Sequence, residues 1–250
     1  MLEFALGLAD TADAIALPHF EAQDFVVESK PDLSEVTVAD RGTEQALVDA
    51  IVARYPDHAI LGEEFGVQGG TADWQWIIDP IDGTANFVRG VPVWATLIAL
   101  RRSGVFQLGV VSAPALHRRW WASNGGGAFR DGTPISVSKV SAVSDAFISI
   151  SDGHWTDAPM RARLGEVLAA CHRQRGLGDF WQHMLVAEGA IDIAVEPVVS
   201  LWDLAAVQIV VEEAGGRFSD LGGVARADGG NALSSNGLLH ETVLAALHGP

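Results

Sequence analysis

Asp79 and Asp82 stand on either side of a proline in WIIDPIDGTANFVRGVPVW, residues 76–94, where an apolar run ends in a turn. Two carboxylates joined by a turn that can also aim the Ile81 carbonyl inward suit a hard divalent cation. Such ions prefer oxygen, and Mg²⁺ is commonly held by a few carboxylates together with water and substrate phosphate. Gly83 and Thr84 follow directly. A residue without Cβ lets the backbone approach closely, and successive amides there can point at a phosphate. The same D-P-x-D-G string is also good turn chemistry, whose acids would merely solvate a loop.

Upstream, LGEEFG places Glu63 and Glu64 at the end of a short apolar run. Adjacent side chains in an extended chain face opposite ways, so one acid is expected in water and the other against something. Downstream, SLWDLAAVQIVVEEAGG reads as a helix with Asp203 near its N-terminus. Free amides and the helix dipole favour an acid there without any metal. Taken singly, these residues are a turn, an uninformative pair and a helix cap.

Taken together, GEE at 62–64, DPIDGT at 79–84 and WDLAA at 202–206 closely resemble the three signatures of the inositol monophosphatase family, in the family's order and spacing. Lys30-Pro-Asp with Thr37-Val-Ala-Asp40, and VAEGAID at 186–192, extend the resemblance over nearly the whole chain. It implies an α/β fold, the layered αβαβα sandwich of the sugar phosphatases, assembled as a homodimer. It also implies a Mg²⁺-dependent hydrolase acting on a small-molecule phosphate ester. Carried over position by position, Mg²⁺ would be held by Glu63, Asp79, Asp82, Asp203 and the Ile81 carbonyl, and phosphate by Gly83 and Thr84. Asp40 would hydrogen-bond Thr84 and orient it.

Four ligand carboxylates carry a charge of about −4, which two Mg²⁺ balance, and a phosphate dianion would help recruit a third; Mn²⁺ is an alternative ion. Without metal the acids would repel one another and the substrate, so the apoenzyme is expected to be inactive. The implied reaction is in-line attack on phosphorus by an activated water, deprotonated with help from Glu63 and from Thr84 backed by Asp40. No covalent intermediate is required.

Gly178-Asp179-Phe180 stands where the family usually has Gly-Ser/Thr-Ala. A carboxylate costs desolvation energy beside a polyol, whereas opposite an ammonium or imidazolium it gains a charge-assisted partner. Asp179 therefore points to a cationic substrate. Glu196 corresponds to the family position that contacts the substrate's organic part and would add a second acid. Gly-Asp-Phe together with VRGVPVWATLIAL, residues 88–100, resembles the histidinol-phosphate phosphatase branch, which implies L-histidinol phosphate. Inositol 1-phosphate is the rival substrate, and no basic cluster offers a place for a second phosphate. A non-catalytic metal-binding regulatory homologue is the alternative from another class, and retention of every ligand beside Thr84 and Asp40 weighs against it.

The periodicity predicts which elements carry these residues. Apolar positions at three- and four-residue steps make residues 2–17 an amphipathic helix ending near Pro18, and a second helix spans about 43–54. Strands are expected at 60–62 and 74–78, the latter stopped by Asp79-Pro80 because proline donates nothing to a ladder. Residues 93–101, 106–112 and 120–122 read as an antiparallel meander. Beyond residue 140 the pattern is a strand at 146–150, helices at 159–172 and 180–189, a strand at 191–195 and a helix at 201–214. Two packed halves follow: residues 1–140 with most metal ligands, and 141–250 with Asp203 and the substrate-recognition residues.

Acidic residues outnumber basic ones 32 to 16, with no Lys/Arg run, so nucleic acid is excluded as a partner. The single cysteine, Cys171, cannot form an internal disulfide, which fits a reducing compartment. Glu3, Asp10 and Asp13 interrupt the apolar N-terminal pattern, unlike a signal peptide, and the longest clean apolar run, 93–100, is too short to span a bilayer. A cytoplasmic protein without a membrane partner is expected.

Overall fold

The computed structural model describes residues 1–30, 35–70, 73–151 and 158–249; Pro31 and Asp32 of the Lys30-Pro-Asp element lie outside them. Among the described residues the chain forms α1 (Leu2–Ala22), α2 (Val38–Arg54), α3 (Thr84–Val88), α4 (Ala158–Ala170), α5 (Asp179–Ala187), α6 (Leu201–Glu213) and α7 (His240–His248).

An eight-stranded sheet runs Thr133–Pro134, Gly127–Arg130, Arg118–Ser123, Val105–Ala113, Ala95–Arg102, Trp74–Asp82, Ala59–Gly62, Gly66–Gly69. Trp74–Asp82 pairs antiparallel with Ala95–Arg102 and parallel with Ala59–Gly62. Its unbroken apolar run is explained by burial on two sides. Trp76 and Ile78 pack with α1 and α2, while Ile77 faces α5 and α6. A second sheet of five strands is ordered Arg173–Arg175, Phe147–Ile150, Ile193–Glu196, Ala232–Ser235, Arg217–Ser219. Its outer face packs on α4 and α7 through Ile148, Leu164, Ile193, Val243 and Leu247.

The layers are therefore α1/α2, sheet, α5/α6, sheet, α4/α7, the αβαβα sandwich. Helix α6 lies in the middle layer, and every residue from Leu204 to Val211 is buried. A helix apolar on all sides can satisfy itself only between two covering layers. Its first turn carries Asp203 to Asp79 and Asp82 at the C-terminal end of Trp74–Asp82.

Three expectations change. Pro18 lies inside α1, which continues to Ala22. The missing amide is offset by packing of the last turn, where Phe20 sits 5.5 Å from Phe87 and 5.4 Å from Trp94, centroid to centroid. Helix α2 begins at Val38 rather than 43, because Thr37 and Asp40 form a capping box. The strand expected to stop at Asp79-Pro80 runs on to Asp82. Its register with Ala95–Arg102 shifts between Asp79 and Asp82, and this bulge accommodates the proline.

Cys171 is half-buried against the α4 side of the second sheet, and burial pushes its thiol pKa up. No helix among the described residues is long and apolar enough to cross a membrane.

Candidate active site

The bulge at Pro80 aims the two aspartates. The Thr96 hydroxyl donates to the Pro80 carbonyl over 2.8 Å, and the Ile81 amide donates to Asp79 Oδ1 over 3.0 Å. Asp203 arrives from the first turn of α6, where its Oδ2 accepts the Ser200 amide at 2.7 Å. One carboxylate oxygen from each of Asp79, Asp82 and Asp203 lies within 4.8 Å of the others. Asp203 is thus a helix cap through one oxygen and a member of the acidic cluster, so its two sequence readings are compatible. Asp40 repeats the device at the start of α2. Its Oδ2 accepts the Thr37 amide at 2.8 Å and hydroxyl at 2.6 Å, leaving Oδ1 3.2 Å from the Thr84 hydroxyl.

Glu63 stands beside the triad, outside the 4.8 Å group. Its amide donates to the Ile78 carbonyl over 3.2 Å, and Oε1 meets the Lys30 ammonium at 2.7 Å. Glu64 accepts the same ammonium at 2.5 Å and is the more buried of the two side chains. The expected split of one solvated and one inward acid is therefore corrected, because Lys30 supplies a cation to both. The turn that permits this is built on Glu44. Its buried carboxylate accepts the amides of Glu64 and Phe65 at 2.8 and 2.9 Å. A Cβ on Gly62 would sit 1.9 Å from Glu44 Oε1, so the glycine is required by close approach to a carboxylate already committed to two amides.

Gly83 adopts φ 83°, in the left-handed region, at the entry to α3. A Cβ there would meet the Val93 carbonyl at 3.0 Å and Asp179 Oδ2 at 3.4 Å. The Thr84 hydroxyl lies 2.9 Å from the Ile81 carbonyl as well as near Asp40. These contacts place Ile81, Thr84 and Asp40 in one chain of polar groups.

The electrostatics of the cluster are those of crowded, dehydrated acids. Burial, then the charges of Glu63, Asp82 and Asp203, hold Asp79 well above the usual carboxylate range. Burial, then Asp179 and Asp203, do the same to Asp82. Burial raises Asp203 to about 6 against the Ser200 hydrogen bond, and raises Asp40 to about 6 against those from Thr37. Buried carboxylates that raise one another in this way lack an opposing charge. An all-oxygen donor set of this kind fits a hard divalent cation.

Asp179 and Glu196 line a cavity of about 130 Å³ with Asp82 and Asp203. Asp179 adopts φ 49°, and its Oδ2 accepts the Asn86 side-chain amide at 3.0 Å. Burial, then the Glu196 charge, raises its carboxyl to about 6. Beside this cavity a wider cleft of about 840 Å³ runs past Gly83, Asn86 and Gly178. Trp94 and Phe180 are buried in the apolar core. Sequence reasoning missed Glu44, Asn86, Gln182 and His183. Asn86 follows DPIDGT closely enough to have been suspected, whereas Glu44 carried no local signal.

A model of the inositol monophosphatase family matches residues 1–249. The chain belongs to that family. Among curated relatives within it, a protein named histidinol-phosphatase from Mycobacterium tuberculosis is 51% identical, covering 99% of this chain and 97% of its own length. A histidinol-phosphatase from Streptomyces coelicolor is 46% identical, covering 99% of this chain and 96% of that protein. Among solved structures, an IMPase of Thermotoga maritima superposes with a TM-score of 0.88 at 33% identity, over 99% of this chain and 96% of that one. Inositol monophosphatase family members are metal-dependent phosphatases, in keeping with the triad of Asp79, Asp82 and Asp203.

Proposed function

We propose that this chain is a phosphoric monoester hydrolase that converts L-histidinol phosphate and water to L-histidinol and inorganic phosphate. The observation that carries the substrate is the placement of Asp179 and Glu196 in one cavity with Asp82 and Asp203. Two acids at the organic end of a phosphatase site gain stronger, charge-assisted partners from an ammonium and an imidazolium than from hydroxyls. The full-length relatives named histidinol-phosphatase support the same reading.

Glu63, Asp79, Asp82, Asp203 and the Ile81 carbonyl would hold two or three Mg²⁺, with Mn²⁺ as a substitute. When bound, the cations offset the acids' charge and polarise a phosphoryl oxygen. Thr84, with Asp40 behind its hydroxyl, is positioned to hold the proton of an attacking water, assisted by Glu63. The Gly83 and Thr84 amides would orient phosphate, and Asp179 and Glu196 the cationic organic part. Residues 1–140 would then supply most of the metal site and 141–250 the remainder, in a cytoplasmic homodimer.

Phosphate release from histidinol phosphate, inositol 1-phosphate, fructose 1,6-bisphosphate and adenosine 3′,5′-bisphosphate, before and after chelation, tests the reading. The first substrate should lead in kcat/KM, and chelation should abolish turnover. Equal kcat/KM on the first two substrates would refute the substrate assignment.

A further inference from the structure

Behind Glu196 lies a second chain of buried polar groups. His183, on α5, is 1% exposed and lines the cavity shared by Asp82, Asp179 and Glu196. Its Nδ1 is 2.7 Å from the Ser234 hydroxyl and its Nε2 is 3.3 Å from Glu196 Oε2. The Gln182 side-chain amide donates to the same Oε2. Ser234 and Gln182 are fully buried.

With Glu196 ionised and the imidazole neutral, hydrogens fit this chain in one self-consistent way. A carboxylate only accepts, so Nε2 carries the proton and donates to Oε2, and bare Nδ1 accepts from the Ser234 hydroxyl. The order serine, histidine, acid is that of a nucleophilic triad, yet the serine here is fully buried within the strand Ala232–Ser235 and does not line the cavity that His183 and Glu196 share. Its hydroxyl instead selects the histidine tautomer. With two donors on Oε2, Glu196 Oε1 has no donor among the described residues, and the carboxylate lines the cavity.

We propose that His183, backed by Ser234, is a positioning residue that sets the orientation of Glu196, so that Oε1 is presented to the cationic part of the substrate. The inference rests on the cationic-substrate reading above. A buried imidazole fixed by a hydroxyl holds an acid more rigidly than solvent would, and a preoriented acceptor strengthens a charge-assisted contact without touching the reacting phosphate.

The test uses the full chain with Mg²⁺ and compares histidinol phosphate with p-nitrophenyl phosphate, which carries no cation. For His183→Leu, KM for histidinol phosphate should rise by about tenfold relative to KM for p-nitrophenyl phosphate, while kcat stays within about threefold of wild type. His183→Gln should restore most of the difference, because its amide can donate to Glu196 and accept from Ser234. Ser234→Ala should shift KM in the same direction by about threefold, and it keeps the test decisive if the leucine variant does not fold. Unchanged KM ratios in the folded variants, or a glutamine variant no better than leucine, would overturn the proposal alone. A wild type without preference for histidinol phosphate would overturn the substrate reading and this proposal with it.

Discussion

The backbone amide of Phe180 donates to Oδ2 of Asp82 over 2.7 Å, tying the acidic cluster to the helix that carries Asp179. Asp82→Asn preserves an acceptor for that amide and removes one charge. Turnover should fall by more than about a hundredfold, and the rise in Tm on adding Mg²⁺ should shrink. In chelator, Tm should hold or increase, since one of several mutually repelling acids is gone. Near-wild-type turnover would overturn the metal site.

Asp40, Asp179 and Asp203 have carboxyl pKa values of about 6 in the fold, against 3.8 for the unperturbed group. The folded chain therefore binds more protons than the unfolded one between those values. Their contribution to stability is fully present below the lower value and is lost as pH rises through about 6. Metal-free protein should melt at lower temperature at about pH 7.5 than at about pH 5, and Mg²⁺ stabilisation should be larger at the higher pH because the ion binds ionised acids. Thermal melts in EDTA and in saturating Mg²⁺ at both pH values measure it; a larger Mg²⁺ effect at the acidic value would contradict the assignment.

A methyl group at position 62 would fall 1.9 Å from Glu44 Oε1, and Glu44 cannot retreat without releasing the amides of Glu64 and Phe65. Gly62→Ala should destabilise the protein by about 1–3 kcal/mol. Activity should drop too, since the turn carrying Glu63 must shift. Chemical denaturation of the single variants and of Gly62→Ala with Glu44→Ala should show a smaller loss in the double variant than the sum of the singles. Strict additivity would show that the two sites do not collide.

Asp179→Asn removes the charge while keeping a residue that tolerates the left-handed backbone and an oxygen for Asn86. KM for histidinol phosphate should rise by about tenfold, with a much smaller change for p-nitrophenyl phosphate. Steady-state kinetics on the two esters decide it, and parallel losses would show that Asp179 serves the fold rather than the substrate.

Much of the chemistry was legible locally. Asp79-Pro-Ile-Asp82-Gly83-Thr84 is a turn whose acids and glycine sit within a few residues of one another, and Asp203 near the start of its helix reads as a cap; Thr37 with Asp40 carries the same capping-box spacing, which the helix start expected at 43 passed over. Short-range geometry of this kind depends on backbone dihedrals and neighbours alone. What only the tertiary structure decided is where the second oxygen of each acid points. Capping occupies one oxygen of Asp203 and one of Asp40, and burial of α6 between two sheets directs Asp203 to the cluster, while Thr84 meets Asp40 through the packing of α2 and α3 against the strand ends. The same long-range packing sets Glu44 beneath Gly62, brings Lys30 between Glu63 and Glu64, and lines up Ser234, His183 and Glu196 from two strands and a helix. A continuation through Pro80 was equally unreadable from local rules, because the bulge is stabilised by Thr96 on the neighbouring strand. Side chains distant in sequence meet only when apolar layers have packed, and no local propensity encodes that meeting.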